Sequence, residues 1–158
     1  KMIQGGIYDH LAGGFARYST DAQWQAPHFE KMLYDNALLM GVIAEAYQIT
    51  QKQSYKKVIE QTIHFLHSEL CNEQGAYYAA LDADSEGVEG KFYTWSYDEI
   101  KNLLDPAIFE NFCTYYQIIE AGNWEHTNIL WTVETMELGM QDGFEKARAI
   151  LWKQGPKK

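Results

Sequence analysis

Residues 5–46 read GGIYDHLAGGFARYSTDAQWQAPHFEKMLYDNALLMGVIAEA, and this stretch decides how the rest of the chain is interpreted. Residues 3–11 form a short helix candidate that would end at Gly13 and Gly14, because glycine adopts the left-handed conformation that terminates helices. Residues 15–18 then alternate as a strand does, and residues 21–26 are expected to return from it. The sequence therefore predicts a β-hairpin-like excursion before the next helix.

That next helix is predicted to run from Pro27 to about Gln48, since proline suits the first turn of a helix. Residues 37–44 carry no polar side chain, which predicts that this part is buried on all sides. The first turns instead hold a polar set: His28, Glu30, Lys31, Asp35 and Asn36. The fold is thus expected to shield the body of the helix and to open its N-terminus.

Residues 55–70 show a different pattern, with apolar side chains at i, i+3, i+4 and i+7 and charged ones opposite. His64 and His67 belong to the polar face, where we expect them in solvent. A fully buried helix followed by a one-sided helix is typical of an inner and an outer layer of helices.

Turn signals divide the remainder of the chain. The predicted elements are a strand (76–82), an acidic loop (83–90), a returning strand (91–95), helices beginning at Ser96 and Asp105, a loop (122–131) and two helices (132–138 and 144–154). Ser96 and Glu99 have the spacing of a capping box. Glycine, aromatic residues and tryptophan recur around Gly14, Gly75 and Gly122. Such a repeat predicts an array of helical pairs with loops on one binding end.

Composition limits the classes of partner. The net charge is −9, which disfavours nucleic acid and anionic membranes as partners. The sequence has no run of about 18 apolar residues, so no membrane span is predicted. Cys71 and Cys113 lack CxxC spacing and are interpreted as idle thiols of a reducing compartment. We therefore expect one globular, cytoplasmic domain. The many aromatic residues (15%) suggest a ligand surface.

Three segments, residues 5–37, 82–95 and 122–130, together resemble the YyaL-like and spermatogenesis-associated protein family. The resemblance implies a thioredoxin-like domain followed by an (α/α)6 toroid, similar to N-acylglucosamine 2-epimerases and six-hairpin glycosidases. Residues 1–158 would be a fragment of that single toroid: a mainly α partial barrel with short β-hairpins at one end. The thioredoxin-like domain and the rest of the toroid would lie outside this chain.

His28, Asp82 and Asp84 are the candidate catalytic residues. A histidine titrates near neutral pH and can transfer protons, although a structural histidine under the loop is the alternative. Asp82, Asp84, Glu86 and Glu89 could provide the carboxylate pair of a glycosidase. The same spacing begins like a calcium loop, but Tyr93 occupies the closing position. A solvated turn remains the third interpretation of this acidic segment.

A second set of residues suits sugar recognition, because aromatic rings pack on sugar C–H faces while amides and charges bond the hydroxyls. The predicted substrate-binding residues are Arg17, Tyr18, Trp24, Glu30, Tyr34, Glu86, Tyr93, Trp95, Asn123 and Asn128. The alternative is that these rings form small cores under long loops.

The sequence thus favours a carbohydrate-active domain, either a sugar epimerase or isomerase or a glycoside hydrolase. A small sugar is the expected partner, and no metal or nucleotide cofactor is implied, since no GxxxxGK[ST] loop occurs. The alternative function is a non-catalytic binding or scaffold domain that works with the thioredoxin-like redox domain.

Overall fold

The computed structural model describes residues 1–85 and 87–154 and is mainly helical. Its helices are α1 (Leu33–Thr50), α2 (Gln53–Phe65), α3 (Tyr97–Leu103), α4 (Pro106–Tyr115) and α5 (Asp142–Gln154). Shorter helical turns occur at Met2–Gln4, Leu66–Leu70 and Leu138–Met140. Within the described residues, no helix combines the length and the apolar character needed to cross a membrane.

Within the described residues, each strand is two residues long and the strands form three antiparallel pairs. These pairs are β1 (Tyr18–Ser19) with β2 (Pro27–His28), β3 (Lys31–Met32) with β4 (Ala80–Leu81), and β5 (Asp84–Ser85) with β6 (Val88–Glu89). The predicted first hairpin is confirmed, with its strands shifted towards the C-terminus. The second hairpin lies inside the segment predicted as an acidic loop. Residues 91–95 are not a regular strand, and Trp95 makes only an isolated bridge to Asn128.

The predicted start of the first long helix is wrong. Residues 27–32 contain the short strands β2 and β3 instead of helix, and α1 begins at Leu33. The reason is a distant pairing: Lys31 lies opposite Leu81, and the Leu33 N–H donates to the Ala79 carbonyl at 2.9 Å. A helix over residues 3–11 is also wrong, since only the turn at Met2–Gln4 is helical there.

The expected burial of α1 on all sides is wrong as well. Ile43 is buried, but Leu38 is 70% exposed, Val42 64% and Ile49 84%. Ile43 packs in a cluster with Val58 of α2, so one face of α1 is covered by α2. The opposite face, although apolar, has no such cover among the described residues.

Local signals in the later part of the chain are largely confirmed. The Ser96 hydroxyl accepts from the Glu99 N–H at 3.2 Å, and the Glu99 carboxylate accepts from the Ser96 N–H at 2.7 Å. The Asp105 carboxylate accepts from the Ala107 N–H at 2.8 Å in front of α4. A helix over residues 132–138 is wrong, because only Leu138–Met140 is helical in that region.

The largest core joins α3, α4 and α5 around Ile100, Phe112 and Leu151. A small separate core of Phe29, Ala83 and Ile129 lies under the loops. The two-layer toroid remains a prediction, and so does the assignment of the chain to part of one such domain.

Candidate functional site

Three loops meet on the ring of Phe29. Tyr93 stacks on it with centroids 5.5 Å apart and planes 5° apart, and Trp124 meets it edge-on at 5.4 Å. Gly90 has φ +70°, and a Cβ at that position would collide with the Phe29 ring. The first hairpin, the acidic hairpin and the loop around Trp124 are therefore held together at one end of the molecule.

His28 lies at the surface of this end. Its strand position is opposite Tyr18, and the two rings stack with centroids 5.0 Å apart. Its Nε2 is 3.9 Å from Glu89 Oε1, which is a charge contact and too long for a hydrogen bond. The Nδ1 atom is buried, with no hydrogen-bond partner among the described residues. His28 is thus partly exposed, next to a carboxylate and an aromatic ring.

The acidic hairpin places Asp84 directly opposite Glu89, and both residues are exposed. Like charges in directly opposite positions are unfavourable, so a positive His28 ring beside Glu89 would relieve this repulsion. Asp82 is also exposed, and its carboxylate accepts from the Asp84 N–H at 3.2 Å. Glu86, predicted to contact substrate, lies outside the described residues.

Arg17 and Glu30 form an exposed ion pair on the same hairpin, with 2.9 Å between Arg17 Nη1 and Glu30 Oε2. This hydrogen bond raises the pKa of the Arg17 guanidinium, and nearby Tyr34 contributes in the same direction. Tyr34 itself is half exposed at the start of α1. These three predicted residues are therefore accessible and adjacent to one another.

Other predicted ligand contacts have structural roles. Trp95 and Asn128 are buried, and the Asn128 amide donates to the Trp95 and Ile119 carbonyls at 3.3 and 3.1 Å. The Asn123 amide donates to the Gln117 and Ile129 carbonyls, both at 3.0 Å. The amides of Asn123 and Asn128 thus fix the loop backbone, and the burial of Trp95 and Asn128 keeps both from contact with a ligand.

Two aromatic residues of the predicted set take intermediate positions. Trp24 is partly exposed in a left-handed backbone conformation with φ +69°. Tyr93 is largely covered, and desolvation raises the pKa of its hydroxyl. Its ring packs on Phe29, so a ligand could reach at most the edge of Tyr93.

A buried ion pair under the loops was missed from the sequence. Lys31 Nζ donates to Asp9 Oδ2 at 2.7 Å and to the Gly13 carbonyl at 3.0 Å. The same ammonium lies 4.4 Å from the Phe65 ring centroid and 4.8 Å from that of Tyr93. The partners are far apart along the chain, and no periodic pattern marks them.

His10 lies next to this pair. His10, Asp9 and Lys31 all contribute to the lining of a cavity of about 30 Å³. Burial lowers the pKa of His10 to about 4, against a partial upward effect of its hydrogen bond to the Gly5 carbonyl and of Asp9. His10 is therefore neutral at physiological pH. In residues 1–85 and 87–154, no group of three or more His, Cys, Asp or Glu side chains is arranged to hold a metal ion.

Comparison with known proteins identifies relatives but gives no reaction. No family model matches the chain. Mouse spermatogenesis-associated protein 20 is 43% identical over 77% of this chain, and the rat protein 36% identical over 95%. An uncharacterised protein of Caenorhabditis elegans is 31% identical over 96% of the chain.

The chain spans only part of each relative: 17% of the mouse protein, 23% of the rat protein and 26% of the nematode protein. The matches nevertheless cover 77–96% of the present sequence. The chain belongs to the family of spermatogenesis-associated protein 20.

Proposed function

We propose that this chain contributes to a carbohydrate-active site at the loop end, as part of a sugar epimerase or isomerase or of a glycoside hydrolase. The observation that carries the proposal is the contact of His28 with Glu89, 3.9 Å apart, beside the exposed ring of Tyr18. Proton donors and acceptors next to an aromatic face are the groups that sugar chemistry requires.

In this proposal His28 transfers a proton to or from the sugar. Glu89 lies close enough to stabilise the imidazolium that forms, and Asp84 on the opposite strand supplies a second acid or base. Asp82 is the alternative to Asp84, because both carboxylates are exposed at the same turn. Tyr18 would present the face of its ring that does not contact His28 to the sugar.

Arg17 and Glu30 would bind hydroxyl groups. Their ion pair is exposed, and its geometry leaves further donors on the guanidinium and a second oxygen on the carboxylate. Tyr34, close to Arg17, could add a hydroxyl contact from the start of α1. The rest of the full-length protein would complete the site.

The test is turnover by the full-length protein, incubated with mono- and disaccharides and analysed for epimerised or hydrolysed products. We expect His28→Asn to lower kcat by about 10²–10⁴-fold, the usual contribution of a general acid or base. Its unfolding midpoint should stay near that of the parent, since the side chain is partly exposed.

His64→Asn is the matched control, because His64 is an exposed histidine on α2 and should leave turnover unchanged. An His28→Asn protein that turns over sugar at the parental rate would exclude His28 from catalysis. A full-length protein with no activity on any sugar would count against the enzyme proposal as a whole.

A second candidate function, a non-catalytic binding or scaffold domain, is favoured by the exposed face of α1. Leu38, Val42 and Ile49 form an apolar stripe on this helix, and contiguous exposed apolar surface marks interaction sites. Under this proposal the stripe contacts the thioredoxin-like domain that the family resemblance implies.

Hydrogen exchange of α1 shows whether the thioredoxin-like domain or other helices of the same domain cover the stripe. If the thioredoxin-like domain covers the stripe, removing that domain from the full-length protein should speed amide exchange in residues 38–49. Unchanged exchange would indicate instead that other helices of the same domain cover α1, as the toroid predicts.

A further inference from the structure

A second concave surface lies between the first hairpin loop and the loop that follows Asn123. It is a cleft of about 200 Å³, referred to here as the tryptophan cleft. Its lining includes Asp21, Gln23, Gln25, Asn123, Trp124 and Trp131. Ala26 also lines it and immediately precedes β2, so the cleft adjoins the hairpin that carries His28.

The hairpin wall of the cleft is rigid. The Asp21 carboxylate accepts hydrogen bonds from the N–H groups of Gln23 at 2.6 Å, Gln25 at 3.1 Å and Ala26 at 2.5 Å. Trp24, between the two glutamines, has a φ of +69°. The backbone therefore takes a costly conformation at Trp24, and Gln23 and Gln25 on either side of it both line the cleft.

The opposite wall is built in a similar way. The N–H groups of Trp124 and Thr127 donate to each other's carbonyls at 2.9 and 2.8 Å, which closes a tight turn over Glu125 and His126. Both turn residues have positive φ, +45° and +67°. Positive φ at both central residues is the geometry of a two-residue hairpin turn, so this wall has a defined backbone.

The chemistry of the lining defines the ligand class. The two indole rings offer flat apolar faces, while the glutamine amides can both donate and accept hydrogen bonds. The lining described for the cleft contains no Lys, Arg or His, and the Asp21 carboxylate is taken up by backbone N–H groups. The ligand should therefore be uncharged, with an apolar face and several hydroxyl or amide groups.

The volume of the tryptophan cleft limits the class of ligand further. Pockets for drug-sized ligands enclose about 300–1,000 Å³, and this cleft, at about 200 Å³, suits a smaller group. We propose that the tryptophan cleft is a binding subsite for one uncharged sugar ring. This inference rests on the carbohydrate function proposed above and assigns to it a binding element separate from the proton-transfer residues.

Binding to the full-length protein tests the subsite, with glucose, N-acetylglucosamine and cellobiose as probes and glycerol as the reference polyol. Titration should be followed by calorimetry and by tryptophan fluorescence, since Trp124 and Trp131 line the cleft. We expect Gln23→Ala to raise Kd by about tenfold, the upper range for one hydrogen bond. Trp131→Leu should raise Kd by at least as much.

Matched controls come from residues outside the cleft. Gln74→Ala removes an exposed glutamine from another turn, and Trp152→Leu removes a tryptophan from α5; both should leave Kd unchanged. Parental Kd values for Gln23→Ala and Trp131→Leu would overturn the proposal, as would glycerol binding as tightly as the sugars.

The two proposals fail in different ways. Sugar binding that depends on Gln23 and Trp131, without turnover of any probe, would support the subsite and contradict the enzymatic function. Turnover that depends on His28 but is indifferent to Gln23 and Trp131, in both Kd and KM, would support the enzymatic function and contradict the subsite.

Discussion

Glu30 and Lys31 are neighbours in the sequence, yet their ion pairs belong to different environments. The Arg17–Glu30 pair is at the surface, with side chains 46% and 26% exposed. The Lys31–Asp9 pair is enclosed, with side chains 3% and 12% exposed. Glu30 lies just before β3, and Lys31 is the first residue of that strand. One residue therefore joins the candidate site while the next joins the framework beneath it.

The difference separates two roles for charge. An exposed pair is hydrated and easily opened, so its groups remain available to a ligand. A buried pair has lost its water and is satisfied only by its partners, here a carboxylate, a carbonyl and two aromatic rings. Lys31 and Asp9 therefore hold residues 9–13 against β3, and the loop end is built on that contact.

The largest expected effect comes from breaking the buried pair. Lys31→Met should lower the free energy of unfolding by about 3–5 kcal/mol, because it leaves the largely buried Asp9 carboxylate without its countercharge. The N–H groups of Leu11 and Ala12, which donate to Asp9 Oδ1 at 2.9 and 3.0 Å, would be its remaining partners. Chemical denaturation measures this loss. Lys56→Met is the control, since Lys56 is exposed and pairs loosely with Glu60 at 3.8 Å. Equal stability of the two variants would contradict the framework role.

Acid should weaken the same region through His10. Its pKa falls from 6.5 in the unfolded chain to about 4 in the fold, so between pH 6.5 and 4 the unfolded state binds a proton that the folded state does not. The contribution of His10 to the free energy of unfolding is complete above pH 6.5 and is lost as the pH falls towards 4. The total loss is about 3 kcal/mol.

Denaturation series between pH 7 and pH 4 measure this dependence. The carboxylates also titrate in this range, so the comparison is with His10→Gln, which removes the titrating ring. The variant should lose less stability between pH 6.5 and 4 than the parent. Parallel curves for the two proteins would show that His10 is not the group concerned.

A smaller effect is expected where the acidic hairpin rests on Phe29. Gly90 and Gly75 both have positive φ, +70° and +81°, but only Gly90 faces a neighbouring ring, whereas Gly75 faces open space. Alanine at either position costs about 1–2 kcal/mol for the backbone, and at Gly90 about 1–3 kcal/mol more for overpacking.

The difference between Gly90→Ala and Gly75→Ala in unfolding free energy isolates the contact with Phe29. Displacing that ring should also disturb its neighbour His28, which a change in the imidazole NMR shifts would report. Equal losses in the two variants would mean that the hairpin is not tightly held on Phe29.

The smallest change in stability is expected for Arg17→Ala. Its ion pair with Glu30 is exposed, and such pairs contribute little to folding, so the unfolding midpoint should remain close to that of the parent. Sugar binding is the informative readout, because the proposed site uses this guanidinium. A marked loss of stability would move Arg17 from the surface site into the framework.

Several elements could be predicted from short-range signals. The capping box at Ser96, the proline at the start of α4 and the one-sided pattern of α2 all depend on residues within one or two turns. Short-range signals also predict the hairpin of β1 and β2 and the aromatic loop after Gly122. His28 and the acidic segment were also found as candidates, since residue type alone identified them.

Tertiary structure decided the rest, because the deciding partners are far away in the chain. Residues 27–32 have a helical pattern, yet β3 is extended because it pairs with β4. The sequence places Lys31 among exposed charges, but Asp9, Phe65 and Tyr93 enclose it. Asn128 has the residue type of a sugar ligand, but its amide donates to the backbone carbonyls of Trp95 and Ile119. Composition and local pattern thus determine which elements and reactive groups exist, whereas burial and pairing, which depend on contacts across the chain, determine which of those groups a ligand can reach.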